Sequence, residues 1–127
     1  MLSPQRFHRV RLGSEAVELT APVIVGRRPS APRVVRGVTP VLLTAPSPRR
    51  EVSSTHVEIR QEGSAVVVTD LRSTNGTRVT IPGRHPVALR QGESIVVLVG
   101  TTIDIGDGNR LEILPSTRIT PQEDFTP

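Results

Sequence analysis

Three short polar clusters in the sequence carry the side chains that could do chemistry. Arg27 follows a short apolar run, Ser53 begins a run of hydroxyl residues, and Thr74 and Asn75 precede a glycine. An arginine keeps its positive charge at physiological pH, while the hydroxyls and the amide add neutral hydrogen-bond donors. This set suits a tetrahedral dianion such as a phosphate group, which carries about −1.5 to −2 charges and strong acceptor oxygens. The clusters predict a phosphate-binding site if the fold brings them together.

Taken one at a time, the same residues have structural explanations. Asn75 and Gly76 form the strongest short-range hairpin signal, because both residues tolerate the positive φ of a type I′ turn. Ser53 and Thr74 could be turn or cap hydroxyls. His56, at the start of an apolar segment, is more often a hydrogen-bonded structural histidine than a ligand or a base. Only the order and spacing of the clusters favour a binding site.

The segments between the clusters predict an all-β domain, an eleven-stranded antiparallel β-sandwich. Short Val- and Ile-rich runs recur about every ten residues and are separated by Gly, Pro, Asn and Ser, which is typical of sandwiches. Alternate loops of a sandwich leave at the same end, so the clusters could converge on one patch at that end. The predicted strands cover residues 7–12, 16–19, 23–26, 41–44, 56–61, 65–70, 77–80, 87–89, 94–99, 102–105 and 110–114.

Length and composition exclude several classes of protein. The 127 residues suffice for one domain, and the absence of cysteine excludes disulfides and thiolate metal sites. No apolar run is long enough to span a membrane, and the N-terminus lacks the apolar core of a signal peptide, so we expect an unexported cytoplasmic protein with no membrane contact. Sixteen arginines and no lysine give a net charge of only +4, which permits an anionic partner without specifying one.

Domain boundaries follow from proline and polarity. We expect an N-terminal extension over residues 1–5, the domain over 6–114 and a flexible C-terminal tail over 115–127. Within the domain, residues 27–40 and 44–54 read as two long, arginine-containing loops. A compact domain usually keeps such loops when they serve binding.

Four motifs together resemble the forkhead-associated (FHA) domain, a SMAD-like sandwich. In chain order they are Gly26-Arg27, Ser53-x-x-His56, Asp70-Leu-x-Ser-Thr-Asn-Gly-Thr77 and Leu89-x-x-Gly92-Glu93-x-Ile95. The resemblance extends from about Phe7 to Leu114, and the third motif is highly specific. The family binds phosphothreonine peptides through loops at one end of an eleven-stranded sandwich. The resemblance implies a phosphopeptide-recognition module in Ser/Thr-kinase signalling, with a phosphothreonine-containing protein as partner and a Ser/Thr kinase as a second one.

The resemblance also implies the roles of the binding residues. Arg27 would bind the phosphate directly, and the hydroxyls of Ser53 and Thr74 would donate to its oxygens. Asn75 would hold the peptide main chain beside the phosphothreonine. The selectivity for the residue three places after the phosphothreonine stays open.

Three further positions would have structural roles, and one departs from the family. Gly26 and Gly76 would supply backbone shapes that a side chain would obstruct, and His56 would brace the loop of Ser53. The family often has arginine directly after the phosphate-binding serine, where this chain has Ser54. We therefore place Ser54 in the site and expect the second cation to come from residue 49 or 50, with Arg50 as the candidate carried forward.

Alternative functions have weaker support. The three histidines are scattered and no nucleotide-binding glycine motif occurs, so we expect no enzyme activity, metal ion or cofactor. Arginine-rich loops could meet a nucleic acid backbone, but aromatic residues for base stacking are almost absent. A phosphate-independent protein contact is a third possibility. In the tail, Thr120 is followed by Glu123 and Asp124, so phosphorylated Thr120 could bind its own domain or a neighbour's.

Overall fold

Two β-sheets packed face to face make up the computed structural model, which describes residues 6–33 and 37–116. One sheet has six strands in the order β2-β1-β11-β10-β7-β8, and the other has five in the order β4-β3-β5-β6-β9. The strands are β1 Arg9–Leu12, β2 Glu15–Glu18, β3 Val23–Gly26, β4 Val41–Thr44, β5 Val57–Glu62, β6 Ala65–Asp70, β7 Thr77–Thr80, β8 Val87–Leu89, β9 Ser94–Val97, β10 Thr102–Gly106 and β11 Asn109–Leu114.

The predicted all-β class and the count of eleven strands are confirmed, with small differences at the boundaries. The largest differences are of two residues: β1 begins at Arg9 and not at residue 7, and β9, which was predicted to continue to residue 99, ends at Val97. Leu98 and Gly100 belong to a turn that the Thr101 N–H closes onto the Leu98 carbonyl at 3.1 Å, and Gly100 has a φ of +89°. A valine-rich run alone gives no signal of such a turn.

One strand pair contradicts the prediction of a wholly antiparallel sandwich. Strands β3 and β4 are parallel, with Val23 opposite Val41 and Gly26 opposite Thr44. An antiparallel hairpin needs only a short turn, whereas a parallel pair needs a connection of about a dozen residues or more. The connection over residues 27–40 is long enough to carry the chain back before β4 begins.

The core lies between the sheets and is filled by branched aliphatic side chains. Alternation predicted that Val57 and Ile59 face inward, and both are fully buried, as are Leu111 and Ile113. Burying each such side chain contributes about 1.5–3 kcal/mol, so these positions can stabilise the sandwich without aromatic residues. Residues 6–33 and 37–116 contain no helix that is long and apolar enough to cross a membrane.

The strand registers bring the polar clusters to one end of the sandwich, called the apical end here. Val57 at the start of β5 lies opposite Val25 near the end of β3 and opposite Asp70 at the end of β6. The loops that follow β3, precede β5 and follow β6 therefore leave at the same end. This is the convergence that the sandwich interpretation predicted.

Candidate functional site

Arg27 lies where the chain leaves β3, and backbone hydrogen bonds join it to the loop before β5. Its N–H donates to the Ser53 carbonyl at 2.9 Å, and the Arg28 N–H donates to the Ser54 carbonyl at 3.0 Å. The half-buried guanidinium donates from Nε to the Val52 carbonyl at 3.1 Å and from Nη2 to Ser54 Oγ at 3.2 Å. Among the described residues no carboxylate lies within 4 Å of it. The positive charge of Arg27 is positioned but not neutralised.

Gly26 is required by the closeness of the two loops. A β-carbon at this position would lie 2.0 Å from the Ser54 carbonyl oxygen and 2.9 Å from Thr55 Cα. Such distances are far below van der Waals contact, so any side chain would push the loop away. Gly26 therefore allows the backbone contact on which the position of Arg27 depends.

Ser53 links two of the three clusters directly. Its Oγ accepts a hydrogen bond from the Thr74 N–H at 2.9 Å, across 21 positions of the sequence. Because Oγ accepts in this bond, the hydroxyl proton remains available for an acceptor outside the domain. Ser53 is half-buried, and Thr74 is exposed beside it.

His56 braces both of these loops from beneath. It is fully buried; its Nδ1 accepts from the Ser53 N–H at 3.0 Å, and its Nε2 lies 2.8 Å from the Gly76 carbonyl. Accepting at Nδ1 and donating at Nε2 requires the neutral ring with its proton on Nε2. Burial, the largest effect, lowers the pKa of His56, although the bond to Gly76 and the charge of Asp70 oppose it. His56 is thus held neutral as a structural link.

Asn75 and Gly76 complete the loop after β6. The exposed Asn75 side chain donates from Nδ2 to the Glu51 carbonyl at 2.9 Å, which leaves its amide oxygen and one N–H for other partners. Gly76 has a φ of +90° and open space around its α-carbon. The glycine is therefore needed for backbone conformation at this position, not for close packing.

A buried carboxylate that the sequence analysis did not assign holds this loop in shape. Asp70 is fully buried and accepts from Ser73 Oγ and Thr77 Oγ1, each at 2.6 Å, and from the Ser73 N–H at 3.0 Å. Ser73 Oγ in turn accepts from the Gly76 N–H at 2.9 Å. An aspartate followed three residues later by serine is a turn signal that could have predicted this arrangement.

The loop before β5 also carries Arg49 and Arg50, both exposed. The Arg50 N–H closes a turn by donating to the Ser47 carbonyl at 3.0 Å. Arg50 has a φ of +57°, in the left-handed region that is unfavourable for most residues other than glycine. Ser47 Oγ donates to Asp107 at 2.5 Å, and this bond is the main reason that the pKa of Asp107 is lowered; the charge of Arg49 adds to it. Among the described residues, neither Arg49 nor Arg50 has an acidic partner within 4 Å.

A cleft of about 400 Å³ adjoins Asn75 on the side of the six-stranded sheet. It mixes two carboxylates, one guanidinium and small residues, and it is lined by Glu51, Asn75, Gly76, Thr77, Arg78, Ala88, Asp104, Ile105 and Gly106. Sequence reasoning did not identify it, because its residues come from four separate parts of the chain.

All the site residues expected from the sequence therefore lie on connected apical loops. One other expectation, binding of phosphorylated Thr120, concerns a residue outside the described ranges. Within those ranges no group of three or more histidine, aspartate or glutamate side chains could hold a metal ion.

The comparison with protein families gives one match. A family model described as the FHA domain matches residues 23–113. A search among curated proteins found no match.

Solved structures show the same fold at low identity. The FHA domain of MEK1, in complex with a phosphothreonine peptide of HOP1, is 16% identical with a TM-score of 0.60; the alignment covers 84% of this chain and 94% of that one. The FHA domain of an Arabidopsis thaliana hypothetical protein is 20% identical, with a TM-score of 0.61 and 91% of each chain covered. Mycobacterium tuberculosis EmbR, in complex with a low-affinity phosphopeptide, is 21% identical with a TM-score of 0.61, over 91% of this chain and 26% of EmbR. Because the family model covers well over half of the sequence, the chain belongs to the FHA domain family.

Proposed function

We propose that this domain is a non-enzymatic module that binds phosphothreonine-containing proteins at its apical loops in a Ser/Thr-kinase pathway. The observation that carries the proposal is the hydrogen-bonded junction of Arg27, Ser53 and Thr74, which places a permanent cation beside hydroxyl donors. In the part of the chain that the structure describes, this cation has no acidic partner within 4 Å. The domain acts in the cytoplasm, where kinases have access to ATP, and comprises residues 6–114. It needs no cofactor for this binding.

Each side chain at the junction has one task. The Arg27 guanidinium binds the phosphate oxygens, and the free protons of the Ser53 and Thr74 hydroxyls donate to them. Charge-assisted hydrogen bonds of this kind contribute about 1.5–3 kcal/mol each. The free amide atoms of Asn75 bind the peptide main chain, and the segment after the phosphothreonine enters the adjoining cleft.

Ser54 and Arg50 support the binding in different ways. Ser54 Oγ accepts from Arg27 Nη2 at 3.2 Å, so it orients the guanidinium. A serine does not replace the positive charge of the arginine that the family often has at this position. Arg50 is exposed in the same loop and supplies the second positive charge. Reversing this charge with Arg50→Glu weakens phosphopeptide binding, and an unchanged affinity removes Arg50 from the site.

The decisive experiment is an oriented phosphothreonine peptide library, followed by calorimetry on the selected peptide. Loss of one charge-assisted contact in Arg27→Ala should raise the Kd by about 10- to 150-fold. The neighbouring exposed Arg28→Ala is the matched control, because it removes the same charge without touching the junction. The unphosphorylated peptide should bind to none of the three proteins. Equal affinities of wild type and Arg27→Ala for every selected peptide would contradict the proposal and favour phosphate-independent contact.

Binding to nucleic acid is distinguished by its salt dependence. Backbone binding to DNA falls steeply with salt and tolerates the loss of any one arginine, because many phosphate contacts share the affinity. A DNA titration at several salt concentrations with wild type and Arg27→Ala therefore separates the two functions.

Self-binding through phosphorylated Thr120 is part of the proposal, and it occurs between molecules. Strand β11 starts at the apical end, where Asn109 Nδ2 donates to the Pro46 carbonyl at 2.7 Å, and it ends at Leu114 about 17 Å away. The six residues from Leu114 to Thr120 reach at most about 20 Å when fully extended. This is only slightly more than the length of β11, which the tail would have to retrace to reach the apical end, and the path around the sheet is longer than a straight line. Phosphorylation of Thr120 should therefore produce Arg27-dependent oligomers in sedimentation, and a phosphorylated protein that stays monomeric excludes this part.

A further inference from the structure

Each sheet has two edge strands, and three of these four edges carry features that discourage pairing with another chain. Strand β2 presents Glu15 and Glu18, strand β4 lies between Pro40 and Pro46, and β8 has only three residues and follows Pro86. Edge charges, prolines and short strands are the usual means by which proteins prevent edge-to-edge association.

Strand β9 is the exception. The segment from Ser94 to Val99 reads Ser-Ile-Val-Val-Leu-Val, with no charge and no proline. Val96 and Leu98 are each 59% exposed, and Val99 is 41% exposed. Strand β9 pairs with β6 on one side, and within the described residues no strand lies on its other side. A neutral apolar edge with unpaired backbone groups is a template for one more strand.

The occupant that fits this edge is β9 of a second copy. Two identical strands that pair antiparallel about a two-fold axis are self-complementary, and residues on the same face remain on the same face. The neutral strand lets two copies with a net charge of +4 approach without opposing like charges.

The charges at the two ends of β9 also complement each other in this arrangement. Glu93 precedes the strand and its Oε1 accepts from the Arg90 N–H at 2.8 Å, while the turn after the strand adjoins Pro82, whose Cγ would lie 3.2 Å from a β-carbon on Gly100; Arg84 is in the same turn as Pro82. An antiparallel pair brings the Glu93 end of one copy to the Arg84 end of the other.

We propose that two copies of this domain associate through antiparallel β9 edges into one continuous ten-stranded sheet. Because β9 begins at the apical end beside β6, the two apical sites then point in opposite directions and both stay open. The dimer is bivalent, and a partner with two phosphorylated sites, or two linked partners, would gain avidity from it. The interface shares no residue with the phosphopeptide site, so its test is independent of the proposed function.

Sedimentation equilibrium of the unphosphorylated chain up to about 1 mM, the weak end of specific association, tests this interface. Wild type should show a concentration-dependent dimer, and Val96→Lys and Leu98→Lys should each raise the dimer Kd by about tenfold or more, because the two-fold axis doubles every charge. Leu42→Lys is the matched control, since Leu42 is an exposed apolar residue on β4, the opposite edge of the same sheet. Thermal unfolding verifies that each variant is folded.

Amide hydrogen exchange gives the second measurement. Amides of β9 should become more protected as the concentration rises, while those of β4 should not. A monomer at all concentrations, a dimer insensitive to both β9 variants, or equal weakening by Leu42→Lys would each overturn the proposal.

Discussion

Substitution of Gly26 by alanine tests whether the close approach of two loops builds the site. The new β-carbon would lie 2.0 Å from the Ser54 carbonyl oxygen, whereas ordinary contact begins at 3.4 Å. The loop that presents Ser53 must therefore move by more than an ångström. Its neighbours on this side are backbone atoms, which cannot rotate out of the way as the end of a flexible side chain could.

The magnitude follows from the bonds that this movement breaks. The hydrogen bonds from Arg27 N–H to the Ser53 carbonyl and from Arg28 N–H to the Ser54 carbonyl span the contact. Their loss together with overpacking should lower the free energy of unfolding by about 3–5 kcal/mol. In a domain of this size the melting temperature should fall by roughly 10 °C or more. Phosphopeptide affinity should fall at least about tenfold, because Ser53 is displaced from Arg27.

Calorimetry or far-UV circular dichroism measures the unfolding, since the chain has no tryptophan or tyrosine to report it by fluorescence. Gly13→Ala is the control: Gly13 has a φ of +61° with nothing within 4 Å, so alanine there costs about 1–2 kcal/mol of backbone strain and leaves the site intact. If Gly26→Ala loses no more stability than Gly13→Ala and binds the same peptide equally well, the reasoning is refuted.

Three other predictions concern the supports of the site and the surface. Because burial lowers the pKa of His56, its contribution to stability is complete above the unfolded value of 6.5 and decreases by up to about 1.4 kcal/mol per pH unit below it, until the folded pKa is reached. The difference in unfolding free energy between wild type and His56→Gln should therefore shrink from pH 7.5 to 5, and a constant difference would contradict this. Asp70→Asn should cost about 2–4 kcal/mol in chemical denaturation, because three donors face that buried carboxylate, whereas the exposed Asp104→Asn should cost far less; similar losses would refute the assigned role. Glu62→Gln, which removes the exposed ion pair with Arg60, should change the free energy of unfolding by less than about 1 kcal/mol. A larger loss would show that this ion pair stabilises the fold more than its exposure implies.

Local patterns accounted for most of the strands. Alternation in the segment of Val57 and Ile59 predicted which side chains face the core, and the glycines and prolines between segments predicted the turns. The parallel pairing of β3 with β4 could not be predicted in this way, because both strands have the same local pattern whichever direction their neighbour runs. The end of β9 at Val97 was also missed, because the apolar run continues into a turn.

The sequence by itself determined the sandwich, the family and the list of residues that belong to the apical loops, since motif order and side-chain chemistry are properties of the chain. The tertiary structure alone decided how those residues meet. The bond from Thr74 N–H to Ser53 Oγ, the contact of His56 Nε2 with the Gly76 carbonyl and the steric need for Gly26 all depend on segments that are distant in the chain. The same holds for the open edge at β9, because the number of neighbours a strand has is a property of the whole sheet.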